Sequence, residues 1–411
     1  MSAQRDNGPA ESLAGVIVLG VDSQIGLAIV RDLGRSGVPV FGIGRSSAAV
    51  GLHSRFLRRG YVHGPRDDRL LTLINGIAAD EGARFVMTVS EGDILFLNRH
   101  REQLPALKLL IPPEPVMRTV IDKARVYAQA ADLGIAIPRS FSVSPEGTVP
   151  DDLDVSDFPV VLKWADPADV QPRLRTQGLS FRKAEYCHDR RELEDALQRY
   201  RPIGQFPLVQ AYCPGHGLGQ MIYLHQRQPV LRFQHRRIHE WPPEGGYSTL
   251  CESLPAEENP ELMEKSVELL RAIGWEGPAM VEYRFDPATG RAVLMEINGR
   301  FWGSLPLAYH AGARFPWILY NVMGRERAVD SSARYRAGVR CKFLLPDLKR
   351  LLRILFQPDR IQDRTLEFNR MAEVLGFTTF LLNPRNRYYV MTLTDPKPFL
   401  SEIWFLVGKR R

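Results

Sequence analysis

Cysteine is scarce in this sequence and scattered. Cys187, Cys213, Cys251 and Cys341 form no CxxC pair, and no His stands at metal-ligand spacing from them. That argues against a disulfide framework and a structural zinc site, and for reduced, buried thiols. No window approaches 18 consecutive apolar residues, so no segment reads as a membrane span. Met1 to Ala14 is polar with both signs of charge, which lacks the pattern of a signal peptide and reads as a flexible leader. Internal repeats, low-complexity tracts and a Ser/His/Asp or Cys/His nucleophile signature are also missing. The net charge of +7 is not spread along the chain. Residues 331–411 hold 16 Lys and Arg against 7 Asp and Glu, which leaves 38 against 40 for residues 1–330. A nearly neutral body with a basic C-terminal fifth excludes a nucleic-acid enzyme with a basic working cleft. The apolar fraction of 44% and charged fraction of 25% over 411 residues suit a globular chain of two or three domains.

What is present begins with a βαβ pattern. Gly15 to Gly20 (GVIVLG) is a β-branched run, the following segment places Ile25, Leu27, Ala28, Ile29 and Leu33 at helical spacing, and VPVFGIG is a second strand. A helix at Leu70–Asp80 and a strand at Arg84–Val89 extend this into a small doubly wound domain ending near Pro112-Pro113. Gly20 and Gly26 fall short of the GxGxxG fingerprint, and the second strand ends at Gly44-Arg45 where an NAD site wants an acid. A structural role is expected there, with an NADP site using Arg45 as the alternative. From Thr119 one helix is expected, stopping at Gly134 with Pro138 after it. FPVVLKWA is a strand, RRELEDALQRY a helix and FPLVQAY a strand; antiparallel strands QMIYLH and QPVLRFQHRRI follow, then a Gly-rich loop. A helix from Glu261 to Ile273 leads to the strand pair PAMVEYRFD and AVLMEING around the turn PATGR.

The chemistry concentrates in that pair. Glu282 and Glu296 lie inside apolar strands, a costly place for a carboxylate. A hairpin closed within Asp286–Arg291 sets them near each other across the ladder, and a period of two puts Asn298 on the face of Glu296. Two carboxylates and an amide oxygen form a hard donor set suited to Mg2+ with positions left for phosphate oxygens. Arg300 points the same way and offers a planar donor fork. Lys163, within PVVLKW, needs an anionic partner, and Lys123 opens a second candidate contact upstream.

A Rossmann-like segment, a helix with Asp-Lys, a strand with an apolar run and Lys, a strand reading VQ-x-Y-x-x-G, and E…E-x-N-x-R resemble, in this order, the ATP-grasp superfamily of carboxylate–amine ligases. HRRIHEWPPEGGYSTLCES is similar more narrowly to a bacterial branch that includes D-aspartate ligase. The resemblance covers about residues 15–325. It implies an α/β fold: a Rossmann-like pre-ATP-grasp domain at 15–115, a two-part α+β ATP-grasp domain at 116–328 (a lysine-bearing nucleotide lobe at 116–210, a metal and substrate lobe at 211–328) and a basic C-terminal extension at 329–411. It implies that Lys123 and Lys163 contact ATP phosphates, that Gln210, Ala211 and Tyr212 read adenine through the backbone, and that Glu282, Glu296 and Asn298 hold Mg2+ or Mn2+. Arg300 then stabilises an acyl phosphate. The phosphate-covering loop is expected in Arg173–Phe181, with Gly178 its single glycine and Arg173 and Arg175 adding charge.

Two departures stand out. Ala211 replaces the usual Glu of the hinge, and Gly217 falls where relatives carry the acid that binds ribose, so ribose recognition is unassigned. On the substrate side one of Arg236 and Arg237 is expected to reach the cleft and bind a carboxylate or phosphate, with Gly245, Gly246 and Ser248 as backbone donors or a plain turn. The implied reaction is an ADP-forming amide synthesis on small-molecule substrates, one of them an amino acid, in the cytoplasm. The alternatives are a kinase-like enzyme, an inactive nucleotide-binding protein and, in another class, an NADP oxidoreductase. A homodimer is a further expectation. In DLKRLLRILF the residues Leu348, Leu351, Leu352 and Leu355 form one stripe, read as a helix packed on the body or, with FLSEIWFLVGKRR, as peripheral contact with the inner face of an anionic membrane.

Overall fold

Strand β1 (Gly15–Leu19) is wholly buried, and with α1 (Gln24–Arg35) and β2 (Val40–Gly44) it forms the expected βαβ unit. The computed structural model describes residues 13–165, 167–329 and 334–408, so the leader expected over residues 1–14 lies outside them except for Leu13 and Ala14. Ser23 caps α1 by accepting from the Gly26 N–H. The helix packs so close to the turn that a Cβ on Gly26 would stand 2.5 Å from the Gly20 carbonyl oxygen, which explains the glycine without a ligand. β3 (Arg59–Val62), α2 (Asp68–Glu81), β4 (Ala83–Thr88), α3 (Glu91–Arg99) and β5 (Lys108–Leu109) complete a parallel sheet in the order β3-β2-β1-β4-β5. At the carboxyl ends of β1 and β2, Asp22 Oδ1 accepts from the Arg45 N–H at 2.8 Å. A carboxylate there disfavours the phosphate that an NADP site would put beside Arg45.

The chain then enters a second unit. The helix expected to run on from Thr119 is two helices, α4 (Glu114–Ile121) and α5 (Lys123–Asp132). Asp122 is extended between them, and its side chain accepts from the Ala124 and Arg125 N–H groups, so a competing cap breaks the helix. β6 (Ser140–Phe141), β7 (Val160–Lys163), α6 (Pro167–Thr176), β8 (Glu185–Cys187), α7 (Arg190–Tyr200) and β9 (Leu208–Ala211) follow. Their strands make an antiparallel sheet ordered β6-β9-β7-β8, sealed by Val160, Leu162, Leu193, Leu197 and Val209. β10 (His216–His225), β11 (Gln228–Trp241), β12 (Tyr247–Ser253), α8 (Pro260–Ile273), β13 (Gly277–Asp286), β14 (Arg291–Asn298) and α9 (Leu305–Ala311) come next.

α10 (Phe315–Leu319) leads back into the first unit, where Trp317 N–H donates to Asp32 Oδ2 at 3.0 Å and the Tyr320 hydroxyl to the Ala14 carbonyl at 2.9 Å. β15 (Arg340–Lys342), α11 (Leu344–Phe356), α12 (Arg370–Leu382) and β16 (Arg387–Tyr388) return to the second unit, and α13 (Lys397–Gly408) closes the chain in the first. One unit is therefore residues 1–111, 316–329 and 390–411, the other 112–315 and 330–389. Residues 329–411 do not stand apart as an extension: β15 and β16 lengthen a seven-stranded sheet ordered β14-β13-β10-β11-β12-β15-β16.

The stripe expected in α11 is not the face that packs. Leu351 and Ile354 are buried together with Asp347 and Arg350, whereas Leu348 and Leu352 are exposed. The inward charges are all partnered. Asp347 meets Lys342 at 2.7 Å and His239 at 2.8 Å, and Arg350 meets Glu373 of α12 at 2.6 Å.

The last segment is tied to the first unit by Asp395, which is 1% exposed and accepts from Arg31 Nε at 3.0 Å, Ser54 Oγ at 2.7 Å and the Arg55 N–H at 2.9 Å. Asp395→Ala removes the carboxylate that pairs the buried Arg31 guanidinium and should destabilise the protein by about 3–5 kcal/mol. A urea midpoint within error of wild type would show that the pair does not hold this segment.

Candidate active site

The floor is the β13–β14 hairpin of the second unit. Glu282 stands directly opposite Glu296 and Met280 opposite Asn298, with a bulge just beyond Glu282. The two carboxylates are 13% and 28% exposed, and Asn298 Nδ2 lies 3.4 Å from Glu296 Oε1. Two acids side by side and half out of water repel unless cations compensate them.

Five cations do so, from separate parts of the chain. Arg237 of β11 donates to Glu282 Oε2 at 2.5 Å and to Glu240 Oε1 at 3.2 Å. Burial works against its charge, but Glu282 and Glu240 outweigh that and hold the guanidinium protonated. Its side chain crosses β10 over Gly217, where a Cβ would stand 2.6 Å from Arg237 Cδ and 3.1 Å from Glu240 Oε1. Glu240, beside Gly217, also meets Arg284 at 3.5 Å. Lys123 is the first residue of α5, placed by the Asp122 break, with Nζ 3.7 Å from Glu296 Oε2. Lys163 ends β7 with Nζ 3.8 Å from Met295 Sδ. Burial, then the neighbouring Lys123, lowers the Lys163 pKa, and Glu296 only partly restores it. Arg300 bonds the Phe301 carbonyl at 3.1 Å and bears on the Glu296 charge. The fifth cation, Lys183, lies past the expected loop, in a basic pair just before β8 that nothing in the sequence sets apart from a solvated pair. Burial alone would raise the Glu296 pKa, but Lys183, Lys123, Arg300 and Lys163 together hold it down at about 2.

Other expected residues fall elsewhere. Arg236 points away from the carboxylates to Glu252 at 2.7 Å, a partner it shares with Arg340, because adjacent strand residues face opposite sides. Arg173 and Arg175 sit in α6 rather than in a loop, Arg173 paired with Asp169 at 3.2 Å; Gly178 follows the helix with φ +68. Gln210 is buried, its Nε2 on Ser140 Oγ at 3.2 Å, and the Ala211 N–H is taken by the Arg139 carbonyl at 2.8 Å. β9 is an inner strand, so its amides are committed to the ladder, and the chain leaves the sheet only at Tyr212, whose hydroxyl meets Asp363 and Thr365 at 3.0 Å each. Gly245 closes a turn on Pro242, and Gly246 offers its carbonyl, not its amide, to Arg237 Nη1 at 3.3 Å. His235 lies on β11 opposite Gly219, itself opposite Glu282; its Nδ1 is 3.1 Å from Ser304 Oγ, and burial keeps the ring neutral. Nothing in its sequence surroundings distinguished it from a core histidine.

The donor set of Glu282, Glu296 and Asn298 fits a hard divalent cation such as Mg2+, which completes its shell with water and phosphate oxygens. Among the described residues no group of three or more His, Cys, Asp and Glu side chains is placed to hold a metal unaided.

Residues 248–313 match the family model for the carbamoyl-phosphate synthase L chain, ATP binding domain. Over most of its length the chain shares its fold with solved ligases and carboxylases. Three of the solved structures that share it illustrate the likeness. N5-carboxyaminoimidazole synthetase from Staphylococcus aureus has a TM-score of 0.60 at 14% identity, over 84% of this chain and 86% of that one. L-amino acid ligase from Bacillus licheniformis has 0.58 at 16%, over 79% and 78%. The biotin carboxylase domain dimer of the Hydrogenobacter thermophilus 2-oxoglutarate carboxylase, solved with MgADP, ADP and bicarbonate, has 0.57 at 16%, over 79% and 73%. No curated protein matches the sequence.

The Glu296 carboxyl, ordinarily near 4.5, is depressed to about 2, so its stabilising contribution is complete above its ordinary pKa and is lost as pH falls through about 2. Glu296→Gln lacks that contribution. The stability gap between the two proteins, read from urea midpoints, should narrow below pH 4.5. A gap that stays constant down to pH 2 contradicts the assignment.

Proposed function

We propose that this protein is an ATP- and Mg2+-dependent carboxylate–amine ligase that forms an amide through an acyl phosphate, with an amino acid as one substrate. The observation that carries the reading is the opposed pair Glu282 and Glu296 ringed by Lys123, Lys163, Lys183, Arg237 and Arg300. A strongly cationic pocket around a paired acid fits a polyanion bound together with a metal ion. One structural relative, L-amino acid ligase, supports an amino acid as substrate.

In this reading a substrate carboxylate oxygen attacks the γ-phosphorus of ATP and ADP leaves. The amine nitrogen then attacks the acyl carbon, phosphate leaves and the nitrogen loses its proton. Glu282, Glu296 and Asn298 hold Mg2+, which supplies charge neutralisation on the phosphates. Lys123, Lys163 and Lys183 hold the phosphate oxygens, and Arg300 faces the acyl phosphate. Arg237, with both its terminal nitrogens engaged, acts as a positioning residue for Glu282 rather than as a substrate ligand. Tyr212 and the residue after it, where the chain leaves β9, present the backbone to adenine. No side-chain nucleophile is required, so positioning and charge stabilisation contribute most of the rate. Dependence on ATP supports a cytoplasmic location, and the dimeric relative supports a homodimer.

ADP release measured with candidate carboxylates and amines tests this directly. Glu296→Ala should lose about a hundredfold or more of turnover, and chelation of Mg2+ should abolish it. Unchanged turnover in Glu296→Ala removes the metal site, and NADPH binding without ATP binding removes the whole reading.

Lys163 gives a second test. Its pKa is lowered in the free protein, by burial first and then by Lys123, and a bound phosphate raises it again. At alkaline pH, ATP binding should therefore take up a proton, seen as a dependence of binding enthalpy on buffer ionisation heat. Lys163→Arg should abolish that dependence, because an arginine stays charged; a dependence unchanged in the variant contradicts the placement of Lys163 on the phosphates.

A further inference from the structure

α12 is apolar around most of its circumference, yet it is a surface helix. Its inner face is anchored: Lys342 Nζ lies 4.4 Å from the ring centroids of both Phe377 and Phe380, and Glu373 is paired with Arg350. The outer face carries Met371 at 84% exposure, Leu375 at 64% and Leu382 at 77%, with Val374 and Leu381 also exposed. These recur at helical spacing opposite the anchored residues. α11, packed against α12, exposes Leu348, Leu352 and Phe356 at i, i+4 and i+8. Exposed apolar faces of this kind mark docking surfaces.

The charges around these faces identify the occupant. Within α12 only Arg370 and Glu373 are charged, and Glu373 is neutralised from inside by Arg350. Lys349, Arg360, Arg370 and Arg385 are exposed around the two helices, against exposed Asp359 and Glu367. A second copy of the chain meeting this face by two-fold symmetry would set like charges against like. An anionic lipid surface complements the rim and takes the leucines into its headgroup–acyl boundary. No helix of the described residues is long and apolar enough to cross a membrane, so the contact is one of lying on the surface.

We propose that the outer faces of α11 and α12 form a peripheral docking surface for an anionic bilayer. The proposal is independent of the reaction assigned to the active site, since none of these residues belongs to it. Full-length protein is sedimented with phosphatidylcholine vesicles, with and without phosphatidylglycerol. Wild type should partition onto the anionic vesicles and less so at high salt. Leu375→Glu/Leu382→Glu should weaken partition about tenfold or more while leaving the unfolding midpoint near that of wild type. Arg370→Gln/Arg385→Gln, a second variant that leaves the apolar face intact, should weaken anionic but not neutral partition. Failure of wild type to sediment, or partition unchanged in both variants, overturns the proposal. So does a concentration-dependent dimer that the leucine variant dissolves in the absence of any vesicle binding, which would assign the face to a second copy.

Discussion

Two carboxylates facing each other across one antiparallel ladder set the terms for the rest of the second unit. The register that puts Glu282 opposite Glu296 creates a concentration of negative charge that a half-buried sheet cannot hold alone. Each neighbouring element answers it with a cation. α5 gives Lys123, β7 gives Lys163, the segment before β8 gives Lys183, β11 gives Arg237, and the chain after β14 gives Arg300. The compensation runs past neutrality on the Glu296 side, which is why its carboxyl is held low despite burial. That surplus of positive charge is the observation on which the proposed binding of ATP rests.

Small structural devices aim these cations. Asp122 satisfies the first amides of α5 and so stops α4 one residue before Lys123, fixing that lysine at a helix start beside β14. Tyr127, one turn along α5, donates to the Met295 carbonyl at 2.9 Å and ties the helix to the strand carrying Glu296. Gly217 leaves β10 bare, so that Arg237 can pass over it from β11 to β13, with Glu240 filling the remaining space. The same glycine looks in the sequence like the loss of a functional acid. In space it is the opening through which another acid and its arginine reach the site.

Residues 329–411 show how buried ion pairs mislead a reading by hydropathy. In α11 the residues that face inward include Asp347 and Arg350, matched across the fold by His239 and Glu373. The helical stripe of leucines was visible, but which side it faced depended on Lys342, His239 and Glu373. α12 is apolar on its inner and outer faces alike, so it lacks the polar side by which an amphipathic helix is recognised in sequence. Asp395 likewise carried no signal, since its partners Arg31 and Ser54 lie more than three hundred residues earlier.

The sequence by itself determined the elements and relations that are local. β1–α1–β2, α2, α7, α8 and the β13–β14 hairpin follow from hydrophobic period, cap residues and one turn, and the hairpin register alone opposes the two glutamates. Lys163 was legible as a charge in an apolar strand, and Lys123 through the superfamily resemblance. Only the tertiary structure decided that Arg237 and not Arg236 meets Glu282, that Lys183 joins the cations, that the Ala211 amide expected to read adenine is already taken, and which flank of α11 is covered. The reason is one of range. Period and turn geometry act over a few residues and are written in the chain, whereas the compensation of a buried charge depends on whatever the fold brings within a few ångströms, and that has no fixed spacing in sequence.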